Sequence, residues 1–333
     1  MALTELQQTN AVIGLSMRIE GWPTTLADLG YTLDRLELNF KVADPRRPGV
    51  SIHINPDLLF VADARNFSLI VELKSGRFQD FLQLDRFVRI TPMELIRYGP
   101  VPVRDQSQAY AHRIGVVEVI NDEFIEEYLA EFQRVEHLAS LISLGNSTSI
   151  QSHYGILADS KLHRALERGV SLKDCHPPTK LVPVLPMSGD EYELACSVVD
   201  GVKQLWVNNE RTVTPSDVGR TVFRLLWEKF GSEAQIRYAR VAKETLNEMV
   251  QTEFHTYLRP VPNEREKWAL LEPPESVTDR HRTRAYQQFG NVVRDYKNRR
   301  RANGEYARRH PSQISWDDVP GFGPGTGEDQ DQE

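Results

Sequence analysis

Along the first 145 residues the apolar positions switch between a helical and a strand period. Leu6, Val12, Ile13 and Met17 fall near one face of a helix predicted over Leu3–Glu20, which Gly21-Trp22-Pro23 breaks. Leu26, Leu29 and Leu33 space a second, short helix over Thr25–Asp34. Leu36 to Val42 alternates cleanly, as a strand does, and Asp44 to Gly49 is a loop rich in Pro and Arg. Two near-continuous apolar runs follow, Ile54–Val61 and Ser68–Lys74, and both suit buried strands. Helices are then predicted over Phe78–Ile90 and from Pro92 through Arg97, and a strand over Ile114–Ile120. Asp122–Leu144 reads as one long helix, with Phe124, Tyr128, Phe132, Val135 and Leu138 inward, Asp122 as N-cap and Gly145 as stop.

Residues 146–190 are less regular. Thr214 and Pro215 form an N-cap and first-turn pair for a helix to about Phe230, with Val218, Val222, Leu225, Leu226 and Trp227 as its buried set. Gly231-Ser232 separates it from a helix to about Leu258. The expected plan is an α/β domain over 1–145, a mostly helical accessory domain over 146–260, a basic arm over 261–315 and an acidic tail over 316–333.

Charge inside the two buried runs changes the picture. Asp57 interrupts the first; Glu72 and Lys74 interrupt the second. Alternation sends Glu72 and Lys74 to the same face, and if the strands form a hairpin, Asp57 joins them. Such groups are buried only when paired or bound to a cation. The plain alternative is an exposed strand pair with a surface salt bridge, which contributes little.

Pro56-Asp57 followed by Glu72-Leu73-Lys74, with a helix carrying Gln83-Leu84-Asp85-Arg86-Phe87 behind them, resembles the PD-(D/E)xK nuclease superfamily and its RecB-like branch. The likeness covers about the first third of the chain. Phe87 stands where that branch carries Tyr, so no hydroxyl role transfers. The resemblance implies a mixed sheet flanked by helices and a metal-dependent nuclease acting on DNA more readily than RNA, in microbial restriction, defence or DNA processing. Asp57, Glu72 and Lys74 would be catalytic. Mg²⁺ (or Mn²⁺) would be held by Asp57, Glu72 and the Leu73 carbonyl, with Glu37 as a further candidate ligand. Gln83 is a candidate substrate contact. A rival reading is a non-catalytic nucleic-acid-binding or scaffold subunit on a degenerate nuclease fold. Another is a nuclease silent until a partner protein engages the helical C-terminal half.

Net charge is −7, but six acids and no base lie beyond Trp316, whereas Arg280–His310 carries ten Lys or Arg against two acids. Tyr286, Phe289, Tyr296 and Tyr306 interleave with those bases. Arg299, Arg300 and Arg301 are therefore candidate nucleic-acid contacts. Two cysteines without metal spacing, no apolar run of spanning length and no signal-like N-terminus lead to the expectation of a cytoplasmic protein away from membranes.

Overall fold

The computed structural model describes residues 3–43, 49–98, 111–145, 149–173, 175, 178, 181–252, 254–271 and 279–309. The chain forms two compact units, one of Met1–Ser188 with Phe223–Arg237, the other of Gly189–Val222 with Tyr238–Glu333.

The first unit is built on a mixed seven-stranded sheet in the order β1 (Thr32–Leu36), β4 (Leu58–Ala62), β5 (Phe67–Lys74), β6 (Arg113–Asn121), β7 (Ser140–Leu144), β8 (Ser149–Tyr154) and β9 (Val170–Ser171). β5, β6 and β7 run parallel, and the outer pairings are antiparallel. β2 (Phe40–Ala43) and β3 (Ser51–Ile54) make a separate ribbon. Helices cover both faces of the sheet, so its central strands are apolar at nearly every position. Ile70, Val116 and Ile120 pack with Leu84, Phe87, Leu95, Tyr128 and Phe132. On the opposite face Leu69, Val71, Val117 and Val119 meet Val12, Leu15 and Leu166. The mixed sheet flanked by helices agrees with the sequence reading.

Several element boundaries differ from that reading. The first helix is shorter, Glu5–Leu15, and opens with a capping box between Thr4 and Gln7. The second ends at Asp28, because Thr32–Leu36 is recruited to pair with β4. The strand expected from Leu36 to Val42 is broken at Glu37, whose φ of 43° no strand accommodates. The helix expected over Phe78–Ile90 contracts to Leu82–Phe87.

The largest correction concerns Asp122–Leu144. The helix spans Ile125–Val135 and stops at Glu136, left-handed at φ 49°, whose N–H returns to Gln133 and Phe132. Ser140–Leu144 is instead β7, buried at all five positions. Tyr128 and Phe132 face the core, but Val135 and Leu138 are exposed. A strand buried on both faces lacks alternation, so its apolar run is indistinguishable from a continuing helix by period alone.

The second unit carries the helices Glu191–Val207 and Asp279–Arg309, most of Pro215–Phe223 and Ser232–Gln251, and a three-stranded sheet of Thr212–Val213, Trp268–Leu270 and Leu258–Pro260. The turn after Phe223 tightens into a 3-10 segment, Arg224–Lys229, which leaves Leu225 exposed rather than buried. Among the described residues no helix is long and apolar enough to cross a membrane.

Candidate active site

Asp57 stands one residue before β4, where the chain is pinned from below. Glu37 donates its N–H to the Asp57 carbonyl at 2.8 Å, and Leu38 donates to the Pro56 carbonyl at 3.2 Å. Antiparallel pairing places Leu58 opposite Val71, so Asp57 falls beside the end of β5. Its Oδ2 accepts the Leu73 N–H at 2.7 Å. Along β5, Ile70, Glu72 and Lys74 alternate to one face. Lys74 Nζ donates to Glu72 Oε1 at 2.6 Å and to Gln83 Oε1 at 2.8 Å. Gln83 lies in the first turn of Leu82–Phe87, so the helix behind the strands holds the lysine from its far side. The Lys74 carbonyl accepts from Gln8 Nε2 at 3.1 Å, tying the first helix to the same strand end.

The electrostatics are lopsided. Burial and the Glu72 charge hold the Asp57 carboxyl well above the usual carboxylate range. Glu72 is 2% exposed. Its burial pushes the carboxyl up to about 7 although Lys74 pulls it back. Burial disfavours the Lys74 charge too, but Glu72, Asp57 and Glu118 together raise it above its ordinary value. Glu72 Oε2 is buried with no hydrogen-bond partner among the described residues, and so is Glu118 Oε2.

Sequence reasoning missed Glu118. It lies on β6 directly in register with Glu72 and is 1% exposed. Burial pushes its carboxyl up to about 8, against the pull of Lys74. The signal was available, because Glu118 interrupts the apolar run Ile114–Ile120 as Glu72 interrupts its own. Glu5 was also missed; its charge reaches Asp57, Glu72 and Glu37.

Glu37 stands near Asp57 and is held by a distant backbone N–H. Both its oxygens accept the Met187 N–H, at 3.0 and 3.2 Å. Burial first, then the Asp57 charge, pushes it up to about 8 despite the Met187 bond. Phe87 is a core residue. The hydroxyl on this face belongs to Tyr128, which donates to the Gly76 carbonyl at 3.2 Å.

The structure thus brings Asp57, Glu72, Lys74 and Gln83 together in the first unit. Arg299, Arg300 and Arg301 belong to the helix Asp279–Arg309 of the second unit. There Arg299 lies 3.3 Å and Arg300 3.5 Å from Glu248, and Arg299 also covers the Tyr296 ring at 5.2 Å. Phe289 and Tyr296 are buried packing residues of that helix. The side chains of Tyr286 and Tyr306, and the acidic tail over 316–333, lie outside the described residues.

Among the described residues no three His, Cys, Asp or Glu side chains converge to enclose a metal ion. The donors at the strand ends nonetheless suit a hard divalent cation: two carboxylates that repel each other, one with a buried oxygen that has no partner among the described residues. Mg²⁺ requires no all-protein cage, because it keeps several of its waters.

Residues 4–137 match the family model described as the MJECL32 domain. The matched span takes in Asp57, Glu72, Lys74, Gln83 and Glu118. No curated protein and no solved structure matches the chain. The family description names no chemistry, so the functional reading rests on the residues themselves.

Proposed function

We propose that the first unit is a metal-dependent nuclease of the PD-(D/E)xK type that hydrolyses DNA phosphodiester bonds. The observation that carries this reading is the arrangement at the ends of β4 and β5: a half-buried Asp57 within electrostatic reach of the buried Glu72, with Lys74 bonded to Glu72 and Gln83. A fold gains nothing from a buried carboxylate and a half-buried one that repel, so their value is expected in a bound state. Asp57, Glu72 and the Leu73 carbonyl would hold the ion. A divalent cation there supplies a polarised phosphate and a water acidic enough to attack it. Lys74 offers its ammonium to the attacking water or to the charge that builds on the phosphate. Gln83 fixes the direction of that ammonium. Asp57 is oriented by the Leu73 N–H, which leaves its second oxygen for the ion. DNA as the polymer follows from the resemblance rather than from any base-reading group.

The test is Mg²⁺-dependent cleavage of linear, circular and single-stranded DNA and of RNA by the full chain, Asp57→Ala and Glu72→Ala. Both variants should stay folded and lose cleavage by at least about a thousandfold. Equal cleavage by all three proteins removes the assignment. A folded parent that binds Mn²⁺ but cuts nothing moves the reading to a module that is silent until a partner engages it.

A further inference from the structure

Lys74 is already occupied. Its ammonium is held by Glu72 Oε1 and Gln83 Oε1, so a cation drawn to Glu72 competes with Lys74 for that carboxylate. An ammonium displaced from Glu72 needs another anion nearby, because leaving a charge unpaired in a buried site is costly. Glu118 has the required properties. β5 and β6 are parallel and in register, Glu72 opposite Glu118, so both carboxylates project from the same face. Among the described residues Glu118 Oε2 is buried without a hydrogen-bond partner. Lys74 follows Glu72 by two residues along β5 and shares its face, so Glu118 stands on the neighbouring strand beside the Glu72–Lys74 pair. Val116 and Ile120, which flank Glu118 along β6 on that face, are apolar. A lone carboxylate between them has no packing role that an isosteric amide could not fill.

We infer that Glu118 is a positioning residue for Lys74, the carboxylate that receives the ammonium when Glu72 turns to a cation. This rests on the nuclease reading of Asp57, Glu72 and Lys74. The hand-over frees Glu72 for the ion, and it keeps Lys74 charged and directed along the strand ends, where the phosphate would lie. Glu118 itself touches neither ion nor substrate. Its effect passes through Lys74, and that makes it separable from a general electrostatic contribution.

The experiment is a double-mutant cycle on the full-length chain, read by titration with Mn²⁺ alone and, in parallel, by single-turnover DNA cleavage. The proteins are the parent, Glu118→Gln, Lys74→Met and the double variant, with Glu118→Asp as the conservative control. Gln matches a protonated Glu in shape, so Glu118→Gln keeps the packing. In the Lys74-containing protein, Glu118→Gln should weaken Mn²⁺ about tenfold, the low end of what losing a ligand's supporting partner costs. It should lower the cleavage rate with little change in KM for DNA. Glu118→Asp should recover part of both losses. In the Lys74→Met background, Glu118→Gln should change the Mn²⁺ affinity by less than about twofold. An equal loss in both backgrounds overturns the assignment and makes Glu118 an ordinary distant charge. Equal losses in a protein that still needs Asp57 to cut DNA remove the hand-over and leave the nuclease reading standing. A parent that binds no Mn²⁺ removes both. Non-additive Mn²⁺ binding in a protein that cuts nothing keeps the hand-over and moves the activity to a module that is silent until a partner engages it.

Discussion

Each unit contains a lysine bonded to a carboxylate over almost the same distance. In the first, Lys74 Nζ lies 2.6 Å from Glu72; in the second, Lys297 Nζ lies 2.7 Å from Asp200. The lysine side chains are similarly open, 34% and 29% exposed, but the Glu72 side chain is 3% exposed and that of Asp200 51%. Geometry alone would rank the pairs as equals. Burial separates them, since Asp200 stands open to solvent, whereas Glu72 keeps an oxygen with no partner among the described residues. The first arrangement holds unspent interaction for something to bind, and the second is a surface latch between two helices of its own unit.

Cutting both pairs gives the largest contrast. Lys74→Met leaves Glu72 buried and unpaired, which should cost about 3–5 kcal/mol at pH 8. Lys297→Met should cost less than about 1 kcal/mol. At pH 5 the Lys74→Met penalty should shrink, because a Glu72 carboxyl already pushed up to about 7 takes a proton instead of standing charged. Denaturant unfolding at both pH values measures this. Equal penalties for the two substitutions would mean that burial does not distinguish the pairs.

The same burial predicts an unusual pH profile. Unfolded glutamates ionise near 4.5, whereas in the fold Glu72 ionises at about 7 and Glu118 at about 8. Between those limits the folded chain binds more protons than the unfolded chain. Stability of the metal-free protein should therefore be highest near pH 4.5, fall by a few kcal/mol, in order of magnitude, as pH rises to 8, and level off above that. Saturating Mg²⁺ should flatten the fall, since the ion replaces the protons. A metal-free profile that instead rises toward pH 8 would contradict the placement of these groups.

Asp57→Asn sharpens the comparison at smaller scale. It relieves the repulsion with Glu72 and still lets a side-chain oxygen accept the Leu73 N–H. The metal-free protein should gain about 1 kcal/mol. Cleavage should be lost. Loss of both stability and cleavage would make Asp57 a structural residue first.

These groups were legible in the sequence because the chain announces them: a charge inside an uninterrupted apolar strand has few explanations. Asp57, Glu72 and Lys74 could be read from composition within the runs and from strand alternation, whereas Gln83 entered only through the family resemblance, as a substrate contact, and its bond to Lys74 was not foreseen. Glu118 carried the same signal in Ile114–Ile120 and stayed unread, because no motif drew attention to it. What could not be read was non-local. β7 looks helical until β6 and β8 are there to bury both its faces. Glu37 entered as a further candidate ligand, and nothing near it in sequence showed that Met187, 150 residues later, donates an N–H to its carboxylate. The arginines of the basic helix looked free for the same reason, since Glu248 is remote in sequence.

That last point sets the smallest expected effect. Arg280–His310 carries ten basic residues, and a free arm of that kind would neutralise several phosphates. Arg299 and Arg300 are instead drawn to Glu248, which also accepts from the Tyr296 hydroxyl at 3.0 Å. Lys297 is held by both oxygens of Asp200. DNA binding at this helix would have to displace these carboxylates, so they compete with phosphate inside the second unit. Replacing Arg299, Arg300 and Arg301 with Ala should then lower the salt slope by about 1, not the roughly 3 expected if all three gripped phosphate. Glu248→Gln keeps an acceptor for Tyr296 and releases both arginines, and it should tighten DNA binding a few-fold, most clearly at low salt, where screening is weakest. Affinity measured across a salt series for the parent, the triple variant and Glu248→Gln decides the matter. A slope change near 3 with no response to Glu248→Gln would mean that Glu248 does not restrain the arginines in solution. No affinity in any of the three would make the helix a packing element, its bases matched to the acids of its own unit.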